Sequence, residues 1–207
     1  MTTAATATVE FVQHTFVIVL SLGLTEAFKQ FVKDSVKDEG EINQPKTIHW
    51  DRLPSLLIFM MLIVPFFQGM NRQFHVAYTH PGGVQQHGYE LSLILDGFGF
   101  LLESVVFFIM SRNLAARNWR NLFNAILSLM LVDSLWCVYG WWREGFDPCG
   151  RWIILNGILA MLLLFGFALA RRGVCDLKIA LWGVVANAVI FAANYSWEWR
   201  FFFPAAP

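Results

Sequence analysis

Six stretches of about twenty mostly apolar residues recur along the chain, and no other feature constrains its fold as tightly. A helix needs about 20 such residues to cross a hydrocarbon core about 30 Å thick. The stretches cover residues 9–32, 52–71, 90–111, 119–141, 151–170 and 176–197. The expected fold is therefore all-α: a polytopic integral membrane helix bundle of about six transmembrane helices, forming one transmembrane domain over residues 1–207 with no soluble domain. The longest polar stretches, 33–51 and 72–89, are too short to fold separately. The first apolar stretch reads as a permanent span and not as a cleaved signal. Residues 1–9 carry no Lys or Arg, and the stretch exceeds a typical signal core.

Composition points the same way. Of the residues, 57% are hydrophobic and only 14% are charged, against about 25% charged in an ordinary soluble domain. Fifteen basic residues balance fifteen acidic ones, so bulk charge gives no reason to expect a nucleic-acid partner. The partners this composition implies are the lipid bilayer and either a membrane-protein partner or further copies of the chain. Three cysteines, Cys137, Cys149 and Cys175, are too few for a disulfide framework and fit no zinc spacing. Cys175 falls on the opposite side of the membrane from the other two, which are expected to remain free thiols.

Orientation follows from the basic residues between spans. Lys29, Lys33, Lys37, Lys46, Arg52, Arg112, Arg117, Arg120, Arg171, Arg172 and Lys178 fall on one side; Arg72, Arg143, Arg151 and Arg200 fall on the other. The richer side is expected in the cytoplasm, which puts both termini outside a plasma (cytoplasmic) membrane. Seven of the nine tryptophans stand at expected span ends: Trp50 and Trp119 inside, Trp141, Trp142, Trp152, Trp197 and Trp199 outside. Indole prefers that depth because the headgroup region satisfies both its apolar ring and its N–H. Pro81-Gly82-Gly83 reads as a turn. Pro65 sits inside the second span, where it should kink the helix or free a carbonyl. The tail from Phe201 to Pro204 is expected at the outer interface.

The informative residues are polar ones within spans. An acid at mid-span costs about 2.5–3.5 kcal/mol on insertion scales. Residues 91–110 carry fourteen apolar residues beside Asp96 and Glu103, and those contribute roughly 4–8 kcal/mol. The third span therefore needs neighbours. Ser92, Asp96, Gly99 and Glu103 recur at helical spacing, as do Asp176, Ala180, Gly183, Asn187, Asn194 and Glu198 on the sixth span. Small residues allow close backbone approach and Asn side chains bond across helices, so both stripes are expected to face the bundle interior. His14, Ser21 and Thr25 make a weaker stripe on the first span, and Asn156 is the strongly polar residue of the fifth.

At the expected depth Asp96, Asp133, Asn156 and Asn194 share the outer half with Asn71 and Arg72, which would end the second span. Arg72 is the expected counter-ion of Asp96 or Asp133. Two readings follow: a structural ion pair fixing helix register, or a ligand, ion or proton site. The candidate residues for binding or a polar path are Arg72, Asp96, Glu103, Asp133, Asn187 and Asn194. Glu26 and Gln30, beside Lys29 and Lys33, form an inner-end polar cluster whose long side chains reach solvent. His75, His80 and His87 share an outer loop, but spacings of five and seven match no compact ligand pattern. No metal site and no cofactor are expected.

No His-Glu-x-x-His, Gly-x-Ser-x-Gly, phosphate-binding loop, dinucleotide fingerprint or potassium filter occurs. The expected function is a non-enzymatic, membrane-embedded binding, sensing or accessory role. The alternative is a transporter or channel whose path is lined by the intramembrane acids. A third reading, an intramembrane enzyme acting on lipid, would use Asp96, Asp133, His75 and Arg72 as acid, base and head-group clamp.

Overall fold

The computed structural model of the chain describes residues 3–32, 50–79, 89–114, 119–144 and 147–204. Six long helices account for most of them: α1 (Thr3–Phe31), α2 (Leu53–Phe74), α3 (Tyr89–Asn113), α4 (Trp119–Glu144), α5 (Asp147–Arg171) and α6 (Asp176–Trp197). A short α7 (Trp199–Phe202) follows, and no strand occurs among the described residues. The shortest of the six helices has 22 residues. At 1.5 Å per residue it reaches about 33 Å, enough to cross a bilayer. All six are long and apolar enough to do so, and the chain is an all-α, multi-pass integral membrane protein.

Each helix turns apolar side chains outward, the reverse of a soluble bundle. On α3, Ile94, Phe98, Leu101, Val105 and Ile109 are exposed, while Ser92, Asp96, Glu103, Ser104 and Ser111 are buried. The interior stripe expected on the third span is therefore present; that on the sixth buries Gly183, Asn187 and Glu198 and half-buries Ala180 and Asn194, whereas Asp176 at its start is exposed. The weaker stripe on α1 faces outward at His14, Ser21 and Thr25, and α1 buries Val9, Phe16, Leu20 and Ala27. Those apolar residues meet an aromatic layer in which Phe16 lies 5.9 Å from Phe74 and 5.8 Å from Phe100.

The helices pack in the order α1–α3–α4–α5–α6–α2, and α2 returns to α1. Within lipid there is no hydrophobic drive between helices, so close packing and buried polar contacts hold such a ring. Gly183 shows the closeness: a β-carbon there would lie 2.7 Å from the Phe123 ring. The α5–α6 connection turns on Gly173, whose φ of 80° suits a residue without a β-carbon. Its N–H reaches the Ala170 carbonyl and the Val174 N–H reaches that of Leu169, a complete Schellman cap.

Two boundaries move. The second span does not end near Arg72, because a π-helical turn, His75–Thr79, carries it on to Tyr78. The fifth helix begins at Asp147, which places Cys149 within a helix and buries it. Of the seven span-end tryptophans, Trp50, Trp141, Trp142, Trp197 and Trp199 are exposed as expected. Trp119 and Trp152 turn inward. Trp119 donates to the Asp176 carboxylate at 2.7 Å, and Trp152 packs over Gly69 and against Trp136 and Phe201.

Candidate functional site

Three polar groupings lie inside the ring. The first centres on Asp96, 1% exposed. Tyr78, delivered by the π-helical turn, donates its hydroxyl to one carboxylate oxygen at 2.7 Å. Trp136 of α4 donates its indole N–H to the other at 3.0 Å. Three elements thus converge on one carboxylate, and Gly99 lets the Trp136 ring approach α3 closely.

The second grouping centres on Asp133 of α4. Asn156 of α5 donates to it at 2.5 Å and also reaches Ser134. Glu103 lies behind, 0% exposed, its carboxyl in hydrogen-bond contact with that of Asp133 and with no other partner. Its charged surroundings are the carboxyls of Asp133 and Asp96.

The third is a partly open cavity of about 100 Å³ between α2, α4, α5 and α6, with Phe100 and Phe107 of α3 also on its wall. Asp133, Asn156, Asn187 and Asn194 all stand on its wall. The remaining wall is apolar and aromatic, including Trp136, Trp152 and Phe202. Phe202 belongs to the tail expected at the interface; it folds back through Tyr195, whose ring lies 4.8 Å away. Pro65 also lines the cavity, one turn after Met61. Lacking an N–H, it leaves the Met61 carbonyl without its helical donor.

The structure thus brings Asp133, Asn187 and Asn194 to one cavity, with Glu103 and Asp96 packed behind it. Arg72 is not part of the grouping. No ion pair joins it to Asp96 or Asp133, and its buried Nε has no hydrogen-bond partner. Tyr78 and Trp136 already satisfy Asp96, so the expected counter-ion is replaced by two neutral donors. His75 is exposed, which separates it from the buried Asp96 in the lipid-enzyme constellation. His80 and His87 lie outside the described residues. Among the described residues no group of three or more His, Cys, Asp or Glu is placed to hold a metal ion.

Glu26 and Gln30 remain a separate cluster. The Gln30 amide donates to Glu26 at 2.5 Å, and Arg52 donates to the Gln30 carbonyl, tying the end of α1 to the start of α2. Cys137 and Cys149 are free, buried and side by side, whereas Cys175 is free and exposed. Sequence reasoning missed the Arg151–Glu198 ion pair, 3.0 Å, which joins α5 to the end of α6 beside the cavity. It also missed Trp136, whose signal was its helical spacing from Asp133, Leu129 and Gly140 on the inward face of α4.

The chain matches no family model, no curated protein and no solved structure. What the fold and cavity define is a class: a multi-pass helical integral membrane protein with an apolar, aromatic-walled cavity that carries a few polar groups.

Proposed function

We propose that the protein is a non-enzymatic, membrane-embedded binding protein whose site is this cavity. One observation carries the reading: an apolar, aromatic-walled cavity holds a few convergent polar groups, Asp133, Asn156, Asn187 and Asn194, drawn from three helices. Ligand sites have this make-up, because apolar walls supply area while few polar groups fix orientation. The burial of Asp96 and Glu103, at 1% and 0% exposure, favours binding over conduction, since a water-lined path needs its acids open to water. The same reading places the protein in the plasma membrane, with the side rich in basic residues in the cytoplasm and both termini outside.

The test uses alkyl-diazirine probes of about ten carbons ending in a hydroxyl, a carboxylate or an ammonium group, irradiated with the protein in zwitterionic nanodiscs. At least one probe should cross-link Met61, Phe66 or Phe191 on the cavity wall, and Met61→Trp should abolish that labelling by filling the space. Labels confined with every probe to lipid-facing residues such as Leu131 and Val185 would refute a binding site.

A further inference from the structure

Resting on the binding reading, we infer that the cavity takes a cationic amphiphile: a primary or secondary ammonium group held at Asp133, with an alkyl or aromatic body along the rings. The argument comes from what the wall lacks as much as from what it holds. None of the cavity-lining residues is Lys, Arg or His, and Asp133 is the charged one. On Asn187 and Asn194 the buried polar atoms left over are acceptors. Asn187 is 2% exposed, and its amide nitrogen donates to the Gly183 carbonyl at 2.8 Å. A carbonyl only accepts, so the amide cannot be flipped, and Oδ1 is the atom left without a partner. Asn194 Oδ1 is likewise buried and unpartnered.

Buried acceptors without donors are costly, so they call for a ligand that donates. An ammonium group donates two or three hydrogen bonds and accepts none, matching this set. It also pairs with the Asp133 carboxyl, which shares a hydrogen bond with Glu103 behind it. Trp136 and Trp152, ring centroids 6.4 Å apart, present π faces that attract cations. A carboxylate or phosphate ligand would meet the like charge of Asp133 and no Lys, Arg or His to balance it.

The probe set described above separates this inference from the reading beneath it. Cavity labelling, normalised to labelling at Leu131, should be at least tenfold stronger for the ammonium probe than for the alcohol. Asp133→Asn should remove that preference, and Asp133→Glu should keep it. The wild-type ratio is decisive even where a variant fails to fold. Equal cavity labelling by ammonium and alcohol, or stronger labelling by the carboxylate, would overturn the cationic ligand but keep the binding site. Absence of cavity labels with all three would remove both.

Discussion

Replacing Tyr78 with Phe isolates a single buried hydrogen bond. The ring stays, keeping its contact with Phe74 at 5.6 Å, and only the hydroxyl that donates to Asp96 at 2.7 Å is lost. Tyr78 is 2% exposed and Asp96 1%, so water cannot replace the donor, and one carboxylate oxygen is left dry. An orphaned buried acceptor costs about 1–3 kcal/mol. Interhelical hydrogen bonds in bilayers average about 0.6 kcal/mol and reach about 1.7, because the separated helices find other partners. The charge and burial of Asp96 place this bond at the upper end, about 1–2 kcal/mol. The sharper expectation is one of sign. In an Asp96→Leu background Tyr78→Phe should be neutral or stabilising, since it then removes an orphaned donor. Unfolding free energies measured by steric trapping in bicelles, over all four combinations, give the coupling directly. The reasoning is refuted by additivity within about 0.3–0.5 kcal/mol, the scatter expected of independent sites.

Three further outcomes follow from particular contacts. Gly183→Ala drives a β-carbon to 2.7 Å from the Phe123 ring and should cost about 1–3 kcal/mol, the range for overpacking; adding Phe123→Leu should recover most of the loss, as read by thermal unfolding in detergent. A membrane-impermeant maleimide should modify exposed Cys175 in solubilised protein and leave buried Cys137 and Cys149 unreacted until the bundle unfolds. In intact cells Cys175 should be protected, because the proposed orientation puts it in the cytoplasm; labelling there would reverse the orientation. Trp119→Phe removes the 2.7 Å bond to Asp176 and should cost about 1 kcal/mol, seen as faster amide exchange confined to the first turn of α6.

The spans were legible because length and apolarity decide whether a helix can cross a bilayer, and neither depends on tertiary context. The inward faces of α3 and α6 were legible for a related reason: acids and amides are so costly toward lipid that their spacing alone fixes the helix rotation. Where polarity was weak this logic failed. His14, Ser21 and Thr25 on α1 face outward, and a hydroxyl can bond its own helix, as Thr15 does to the Phe11 carbonyl at 2.9 Å, so it need not seek the interior. The end of α2 was misplaced because Asn71, Arg72 and Gln73 resemble a helix terminus, whereas the Asn71 side chain bonds the Phe67 carbonyl within a continuing helix. That one error hid Tyr78, and with it the neutral partner that makes an arginine at Asp96 unnecessary.

Span three has barely enough apolar surface for the two acids it carries, and its packing shows how the cost is met. Asp96 finds donors on the turn after α2 and on α4. Glu103 meets only the Asp133 carboxyl, whose own donor comes from α5. The position of α3 is thus set by α2, α4 and α5 together, which makes its stability a property of the assembled ring. Packing alone would be served by giving Glu103 a donor or replacing it with an apolar residue, since a buried charged group is weak as a stabilising device. Its place behind the carboxylate that faces the cavity, together with acceptors left open on Asn187 and Asn194, is what a bundle built only for packing would lack. Along the cavity wall, where helix stripes from α4, α5 and α6 meet, buried acceptors on Asn187 and Asn194 stand open beside Asp133. That concentration, more than the presence of acids in the membrane, separates a site from a structural ion pair.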